Sequence, residues 1–281
     1  MTEMHNDTAN IPASKAFWKR QEAGEVYDRQ FKNKVGVYID DSEMMPLLDL
    51  LANLKNAQIL DVGCGTGRFL PQLEKSNKIT GMDLSESMLQ QARVKSEKSN
   101  LASGSAIEIP FATDTFDVVY SVRVIQHIRD QQKMISEMAR VCKPGGRVVL
   151  IIYNSWSLLN VYKQIRMSWV GRVLNFPIGW LLKQRSFFGP WGFAYDNYCS
   201  VPETKRMMRA AGLETSTCWG ASTGMPWFLQ SFFIGKILEK TLPFLLAGFL
   251  AWSRFLDRTL ARVIPLKYFT DLIMVTGIKK K

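Results

Sequence analysis

A chain of 281 residues, 47% hydrophobic and 22% charged, holds enough apolar side chains for a full buried core, which excludes a disordered polypeptide and fits one domain with insertions. Its net charge of +11 is unevenly placed: residues 1–153 carry 19 Lys+Arg against 19 Asp+Glu, whereas residues 154–281 carry 17 against 6, with seven of the eight tryptophans. Four cysteines (Cys64, Cys142, Cys199, Cys218) show no C-x-x-C spacing and lie far apart, which predicts reduced thiols in a cytosolic protein; no metal constellation is visible.

The first twelve residues, MTEMHNDTANIP, are polar and lack a charged start leading into an apolar run, so no secretory signal is expected, and residues 1–14 read as a tail. Lys15 to Tyr38 is a charged stretch dotted with Phe17, Trp18, Tyr27, Phe31 and Tyr38, predicted to form one or two short helices. Ser42 can N-cap a helix running to Leu54 with Met44, Leu47, Leu48 and Leu51 on one face. A boundary between residues 1–41 and a domain of residues 42–281 is therefore expected there.

The stretch I-L-D-V-G-C-G-T-G-R-F-L, Ile59 to Leu70, is the centre of the reading. Ile59, Leu60 and Val62 fit a buried parallel strand, and Gly63, Gly65 and Gly67 then force a tight turn that a ligand can approach closely. The turn's backbone N–H groups, with the start of the next helix (Arg68 to Ser76), can hydrogen-bond a carboxylate or phosphate, and Asp61 faces a cation. The spacing G-x-G-x-G lacks the third glycine of the dinucleotide fingerprint and argues against NAD. A second apolar strand, Ile79 to Met82, ends in Asp83, placed as a ribose-binding acid is placed in nucleotide folds.

Ser85 can cap a helix with Met88, Leu89 and Ala92 inward, followed by a short strand near Leu101 to Ala106. Phe116 to Ser121 reads as the fourth strand and Gln131 to Val141 as a helix with Met134, Ile135, Met138 and Val141 inward. Lys143-Pro-Gly-Gly is expected to end that helix before a fifth strand, Arg147 to Tyr153. Pro202 to Ala211 reads as a helix stopped by Gly212, and Leu213 to Trp219 and Leu272 to Ile278 read as the last strands of a seven-stranded sheet.

D-V-G-C-G-T-G followed by G-M-D-L-S resembles the class I S-adenosylmethionine (SAM) methyltransferases. G-S-A-I-E-I-P-F (Gly104 to Phe111), F-D-V-V-Y-S (Phe116 to Ser121), His127 and R-V-C-K-P-G-G (Arg140 to Gly146) extend the resemblance, in order, to the type-11 branch that includes the ubiquinone and menaquinone methylases. It covers residues 45 to 152 closely and the rest loosely. It implies an α/β, Rossmann-like, mostly parallel sheet flanked by helices, with SAM as cofactor. By the same resemblance Asp61, Gly63, Gly65 and Gly67 would hold the methionine end, Asp83 the ribose, and Leu84, Ala106 and Ile107 would flank the adenine. Where the family has Asp to accept from the adenine amine this chain has Ser105, a weaker acceptor, with Glu108 as a neighbour that could substitute. His127 stands where the family places a His beside donor and acceptor, either as a general base or as a structural residue of the loop. In related enzymes the segment holding Tyr27 closes over the cofactor, so Tyr27 is read as catalytic or as a docking aromatic. Arg123, Gln126, Tyr153, Tyr195, Asp196 and Tyr198 are candidates for acceptor contacts.

Two apolar segments with basic punctuation, at about 154–200 and 220–267, interrupt the late strands. Leu242 to Trp252 is apolar over about half of the ~20 residues a spanning helix requires, and charged residues flank it on both sides. A helix in the plane of an anionic membrane surface fits it better, with Trp227, Phe228, Phe232, Phe233, Phe244, Phe249 and Trp252 downward and Lys279-Lys-Lys as an added anchor; the competing reading is a cap over the substrate pocket. The sequence therefore supports a cytoplasmic enzyme, peripheral on the membrane inner face, methylating a quinone, isoprenoid-linked or phospholipid acceptor. Two alternatives stay open: a soluble O- or N-methyltransferase of an aromatic natural product or sugar, and a non-catalytic SAM-binding subunit. Strand four ends in S-V-R-V where an N/D-P-P-Y/F type motif would mark a nucleic-acid methylase, so no nucleic-acid partner is expected. Oligomeric state is left open.

Overall fold

The computed structural model describes residues 23–29, 31–157, 197–222, 239–259 and 270–281. Seven strands form one sheet in the order β3-β2-β1-β4-β5-β7-β6, built from β1 (Gln58–Val62), β2 (Lys78–Asp83), β3 (Asn100–Ser103), β4 (Phe116–Val122), β5 (Cys142–Tyr153), β6 (Leu213–Ser222) and β7 (Leu272–Lys279). The first five run parallel, whereas β7 lies antiparallel between β5 and β6. The expected α/β sheet of seven mostly parallel strands is present.

The strands read as nearly continuous apolar runs because both sheet faces are covered. Leu60, Val62, Val119 and Val148 join one buried cluster with Met134, Ile135, Met138 and Val141 of helix α5 (Gln131–Val141). Each such side chain contributes about 1.5–3 kcal/mol by leaving water. Ile59, Val118, Tyr120 and Val149 pack on the other face with Leu47 and Leu51 of α2 (Lys34–Leu51) and Leu89 and Ala92 of α4 (Glu86–Lys95). All four cysteines are buried, and none of them forms a disulfide among the described residues.

The order turns back between β1 and β4: β2 and β3 lie to one side of β1, and β4 and β5 to the other. Such a switch point opens a crevice at the carboxyl ends of the strands, where nucleotides bind. Asp61, the glycine turn and Asp83 all lie at that edge.

Several expected boundaries move. Helix α2 begins at Lys34, capped by the Asn33 side chain accepting from the Gly36 N–H at 2.8 Å, so Ser42 lies inside it and its hydroxyl donates to the Ile39 carbonyl. The reason is an earlier buried stripe, Val35, Tyr38 and Ile39, continuous with Leu47 and Leu51. The helix therefore runs unbroken through position 42, where a boundary is expected. After the glycine turn only Leu70–Leu73 forms a helix (α3), opened by Pro71 in its first turn. Ser85 takes the N-cap position of α4, yet its hydroxyl bonds Ser87 rather than the helix backbone. Lys143-Pro-Gly-Gly makes no helix-ending turn: Cys142 is already extended and β5 starts there, with Gly145 at φ +78. The helix α6 (Val201–Ala210) opens on a capping box, in which Ser200 and Glu203 satisfy each other's backbone N–H. Trp227, Phe228, Phe232, Phe233, Tyr195 and Asp196 lie outside the described residues, as do residues 158–196 of the first expected insertion and 223–238 and 260–267 of the second.

Candidate active site

The glycine turn is built from the inside. Gly63 and Cys64 both donate their N–H groups to the Met82 carbonyl at 2.7 and 2.9 Å, Gly67 donates to Cys64 at 3.0 Å, and Gly65 donates to Asp83 Oδ2 at 2.9 Å. These four donors face the protein, which corrects the expectation that they are presented to a ligand. The three glycines also differ in role, though all have positive φ. A Cβ on Gly63 would strike the Val124 side chain and one on Gly67 would meet Ala92 at 2.9 Å, whereas nothing lies within 4 Å of a Cβ on Gly65. Gly65 therefore borders an open cradle, and the other two permit close packing.

Two carboxylates frame this cradle. Asp61 is buried at the end of β1, accepts from the Tyr120 hydroxyl at 2.8 Å, and has its pKa pushed up to about 7 by burial, with Asp83 adding to the rise. A nearby positive charge would restore its charged form, as the chemistry of a sulfonium or ammonium group requires. Asp83 accepts one backbone N–H on each oxygen, from Ser85 and Gly65, at 2.9 Å each. Its carboxylate has about four lone-pair sites, so accepting capacity remains for a hydroxyl ligand beside these backbone donors and the Leu84 N–H. Burial raises its pKa and the backbone donors oppose the rise. These residues fit a cationic nucleoside: open space over Gly65, an acid for the hydroxyls and an acid for the charge.

Beyond Asp83, Leu84 is exposed at the mouth. Ser105 is engaged in a turn with Glu108, its hydroxyl accepting from the Ile107 N–H at 3.4 Å, while Ala106 and Ile107 lie partly buried on the core. The hydroxyl is thus committed in part to its own turn.

Over the cradle sits helix α1 (Ala23–Arg29), packed on α4 so closely that a Cβ on Gly24 would lie 2.8 Å from the Ser87 carbonyl. Asp28 accepts from the Thr66 hydroxyl of the glycine turn at 2.6 Å and pairs with Lys95 at 2.6 Å. Tyr27 accepts a hydrogen bond from Arg123 at 2.6 Å, and Arg123 donates as well to Tyr153 at 3.1 Å. Tyr153 in turn meets Tyr198 edge to face at 5.5 Å. Four predicted residues, Tyr27, Arg123, Tyr153 and Tyr198, are thereby brought together. Burial, partly opposed by Arg123, holds Tyr153 above the ordinary phenol range, so it stays a neutral hydroxyl at neutral pH.

Sequence reasoning missed the charges that fasten this lid. Glu43 of α2 is fully buried, with Arg68 Nη2 at 2.8 Å and Arg123 Nη1 at 3.1 Å, and Arg68 also pairs with Asp40. The Arg68 guanidinium lies over the Phe31 ring, 3.8 Å from its centroid. A glutamate on the apolar face of α2 was the one available signal. Gln126 is buried, donating to the Arg123 carbonyl and lying 3.2 Å from His127 Nε2. His127 ends the short 3₁₀ turn Ile125–His127 that follows β4.

A family model of the methyltransferase domain, Methyltransf_11, matches residues 60–150, the stretch that supplies Asp61, the glycine turn, Asp83 and His127. A demethylmenaquinone methyltransferase of Staphylococcus aureus (strain JH9) is 32% identical over 165 residues, 56% of this chain and 68% of that protein. A phosphatidylethanolamine N-methyltransferase of Cereibacter sphaeroides is 36% identical over 105 residues, 35% of this chain and 52% of that protein, so the match spans about half its length. Among solved structures, Haemonchus contortus phosphoethanolamine N-methyltransferase 2 in complex with SAM shares the fold with TM-score 0.60 at 19% identity, over 93% of this chain and 58% of the other. A SAM-dependent methyltransferase of Thermotoga maritima shares it with TM-score 0.59 at 20% identity, over 94% of this chain and 100% of the other.

Proposed function

The chain belongs to the class I SAM-dependent methyltransferases of the type-11 branch, and from that premise we propose that it transfers the SAM methyl group to a hydrophobic, lipid-linked acceptor at a membrane surface. The observation that carries the donor half is the cradle over Gly65 between Asp61 and Asp83. Bound there, SAM supplies a carbon attached to a sulfonium leaving group. The chain's own residues bind it, orient the acceptor and exclude water, and proximity of this kind supplies roughly 7–11 kcal/mol of barrier reduction.

Asp83 would hold the ribose hydroxyls and Asp61 the positive end. Helix α1 closes the cradle from above through Asp28 and Tyr27, and the Tyr27, Tyr153 and Tyr198 rings with Arg123 would line the acceptor side. His127, at the end of the turn after β4, is the candidate for taking a proton from an acceptor hydroxyl or amine.

Support for a lipid-linked acceptor comes from the two named relatives, one acting on demethylmenaquinone and one on phosphatidylethanolamine, and from the basic, Trp-rich second part of the chain. Among the described residues no helix is long and apolar enough to cross a membrane. The test is transfer of label from methyl-labelled SAM into detergent-dispersed lipid extracts. Label in quinone or phospholipid fractions supports the proposal; label only in water-soluble aromatic or sugar acceptors overturns its acceptor half.

A further inference from the structure

Helix α7 (Pro243–Thr259) has two apolar sides. The inner side is settled by contacts: Leu246 and Leu250 are buried against Val35, Tyr38 and Ile39 of α2, and Asp257 accepts the Tyr38 hydroxyl. Leu246, Leu250, Ser253 and Asp257 recur at steps of four, three and four, one face of a helix, and all are buried. The buried bond to Asp257 fixes the helix's rotation, so the opposite side cannot turn inward.

That opposite side is exposed. Phe244 is 68% accessible, Leu245 51%, Trp252 50% and Phe255 61%, with Gly248 and Ala251 between them. The stripe runs most of a helix about 25 Å long. Scattered apolar residues on a surface need no explanation, but an apolar stripe carrying three large rings does. Arg254, paired with Asp41, borders it.

We propose that this stripe seats the protein on an anionic lipid bilayer, with α7 in the plane of the interface and Phe244, Trp252 and Phe255 below the headgroups; the proposal rests on the lipid-linked acceptor reading. Charge selects the occupant. Residues 154–281 carry 17 Lys+Arg against 6 Asp+Glu, so the half of the chain that bears the stripe repels a copy of itself and attracts an anionic surface. A ring-bearing apolar face beside cationic residues is the pattern of a helix inserted about 5–10 Å into the interface.

The seat is also joined to the candidate active site. The helix under α7 is α2, and α2 carries Asp40 and Glu43, which hold Arg68 after the glycine turn and Arg123 beside Tyr27. A bilayer under α7 would therefore lie one helix away from the charges that fasten the lid, which suits an acceptor drawn from the membrane.

The experiment is co-sedimentation of the full chain with phosphatidylcholine vesicles containing phosphatidylglycerol, beside the triple variant Phe244→Ser, Trp252→Ser, Phe255→Ser. Partial burial of three rings predicts binding at least about 30-fold weaker in the variant. S-adenosylhomocysteine affinity within about twofold of the unsubstituted protein certifies that the variant is folded. Should the variant not fold, quenching by brominated lipid takes its place: the fluorescence lost on the vesicles should be greater in the unsubstituted protein than in Trp252→Phe. Vesicle binding unchanged in the folded triple variant overturns the proposal, as does equal quenching in the two proteins. Failure of the unsubstituted protein to sediment with the vesicles overturns it too, and so does a dimer in sedimentation equilibrium that the triple substitution dissolves. Methyl transfer to detergent-dispersed lipid by a variant that no longer binds vesicles leaves the acceptor reading standing. Vesicle binding with no lipid methylated defeats that reading and leaves the seat.

Discussion

The carboxylate of Glu43 lies 2.8 Å from Arg68 Nη2 with no exposure to solvent, although 25 residues separate the two in sequence. Removing one partner from a buried ion pair leaves an uncompensated charge, which costs about 3–5 kcal/mol. Glu43→Ala should therefore lose stability on that scale in denaturant unfolding. Its S-adenosylhomocysteine affinity should fall as well, because Arg123, which donates to Tyr27 of the helix over the cradle, would lose its buried partner. A variant as stable as the parent would mean that the two arginines find other partners.

Asp83 braces the turn through Gly65 and Ser85 and, in the proposed site, holds the ribose as well, and substitution can divide the two. Asp83→Asn keeps one acceptor oxygen but loses the charge and one backbone bond, to Gly65 or Ser85. Hydrogen bonds to charged groups are worth about 1.5–3 kcal/mol, so calorimetric titration should show S-adenosylhomocysteine bound about 10- to 100-fold more weakly, and Asp83→Ala should abolish binding. Unchanged affinity in Asp83→Ala would remove the ribose assignment and leave Asp83 as a brace of the turn.

Buried Asp61 makes a pH prediction. Its folded pKa is raised, to about 7 from 3.8, so between those values the folded state holds a proton that the unfolded chain has released. The folded state therefore binds more protons, and this group's contribution makes stability fall as pH rises from about 4 to about 7, by roughly 4 kcal/mol at most, and then level off. Asp61→Asn should flatten that slope in denaturant titrations across this window. A cationic ligand favours the ionised form, so SAM binding near pH 6 should release a proton, read by calorimetry in two buffers of different ionisation enthalpy. Equal heats in both buffers would show that the positive end lies elsewhere.

What could be read in the sequence was whatever depends on neighbours along the chain. The seven strands, the run of α5 and the paired acids at the ends of β1 and β2 follow from apolar runs and short spacings. What escaped depends on distant partners: Arg123 meets Tyr27 across 96 residues and Arg68 meets Glu43 across 25, and no local pattern marks either pair. The start of α2 was misread for a related reason. Asn33 and Ser42 are both competent caps, and only the packing of Val35, Tyr38 and Ile39 against Leu246 and Leu250, more than 200 residues on, selects Asn33.

His127 and Tyr27 lie on opposite sides of Arg123: Tyr27 accepts from its guanidinium, and Gln126, which donates to its carbonyl, lies beside the His127 ring. His127→Ala should lower turnover about 10²- to 10⁴-fold, the usual contribution of a general base, with S-adenosylhomocysteine affinity unchanged. Tyr27→Phe keeps the ring over Arg68 and removes the acceptor for Arg123, so it should weaken cofactor binding more than turnover. Normal turnover in His127→Ala would assign the residue to holding its loop.

Gly63 and Gly65 test whether the cradle is a ligand site or only a turn. Both have positive φ, so alanine at either position carries the left-handed penalty, roughly 1–2 kcal/mol. At Gly63 the new methyl would also collide with Val124, whereas at Gly65 it would enter open space. Gly63→Ala should accordingly show the larger loss of melting temperature. Gly65→Ala should melt closer to the parent and yet bind S-adenosylhomocysteine more weakly, because its methyl occupies space a ligand would need. The reverse ranking in affinity, with Gly65→Ala binding as the parent does, would mean that the nucleoside does not pass over Gly65, and the donor half of the proposed site would have to be rebuilt around Asp83 and Leu84.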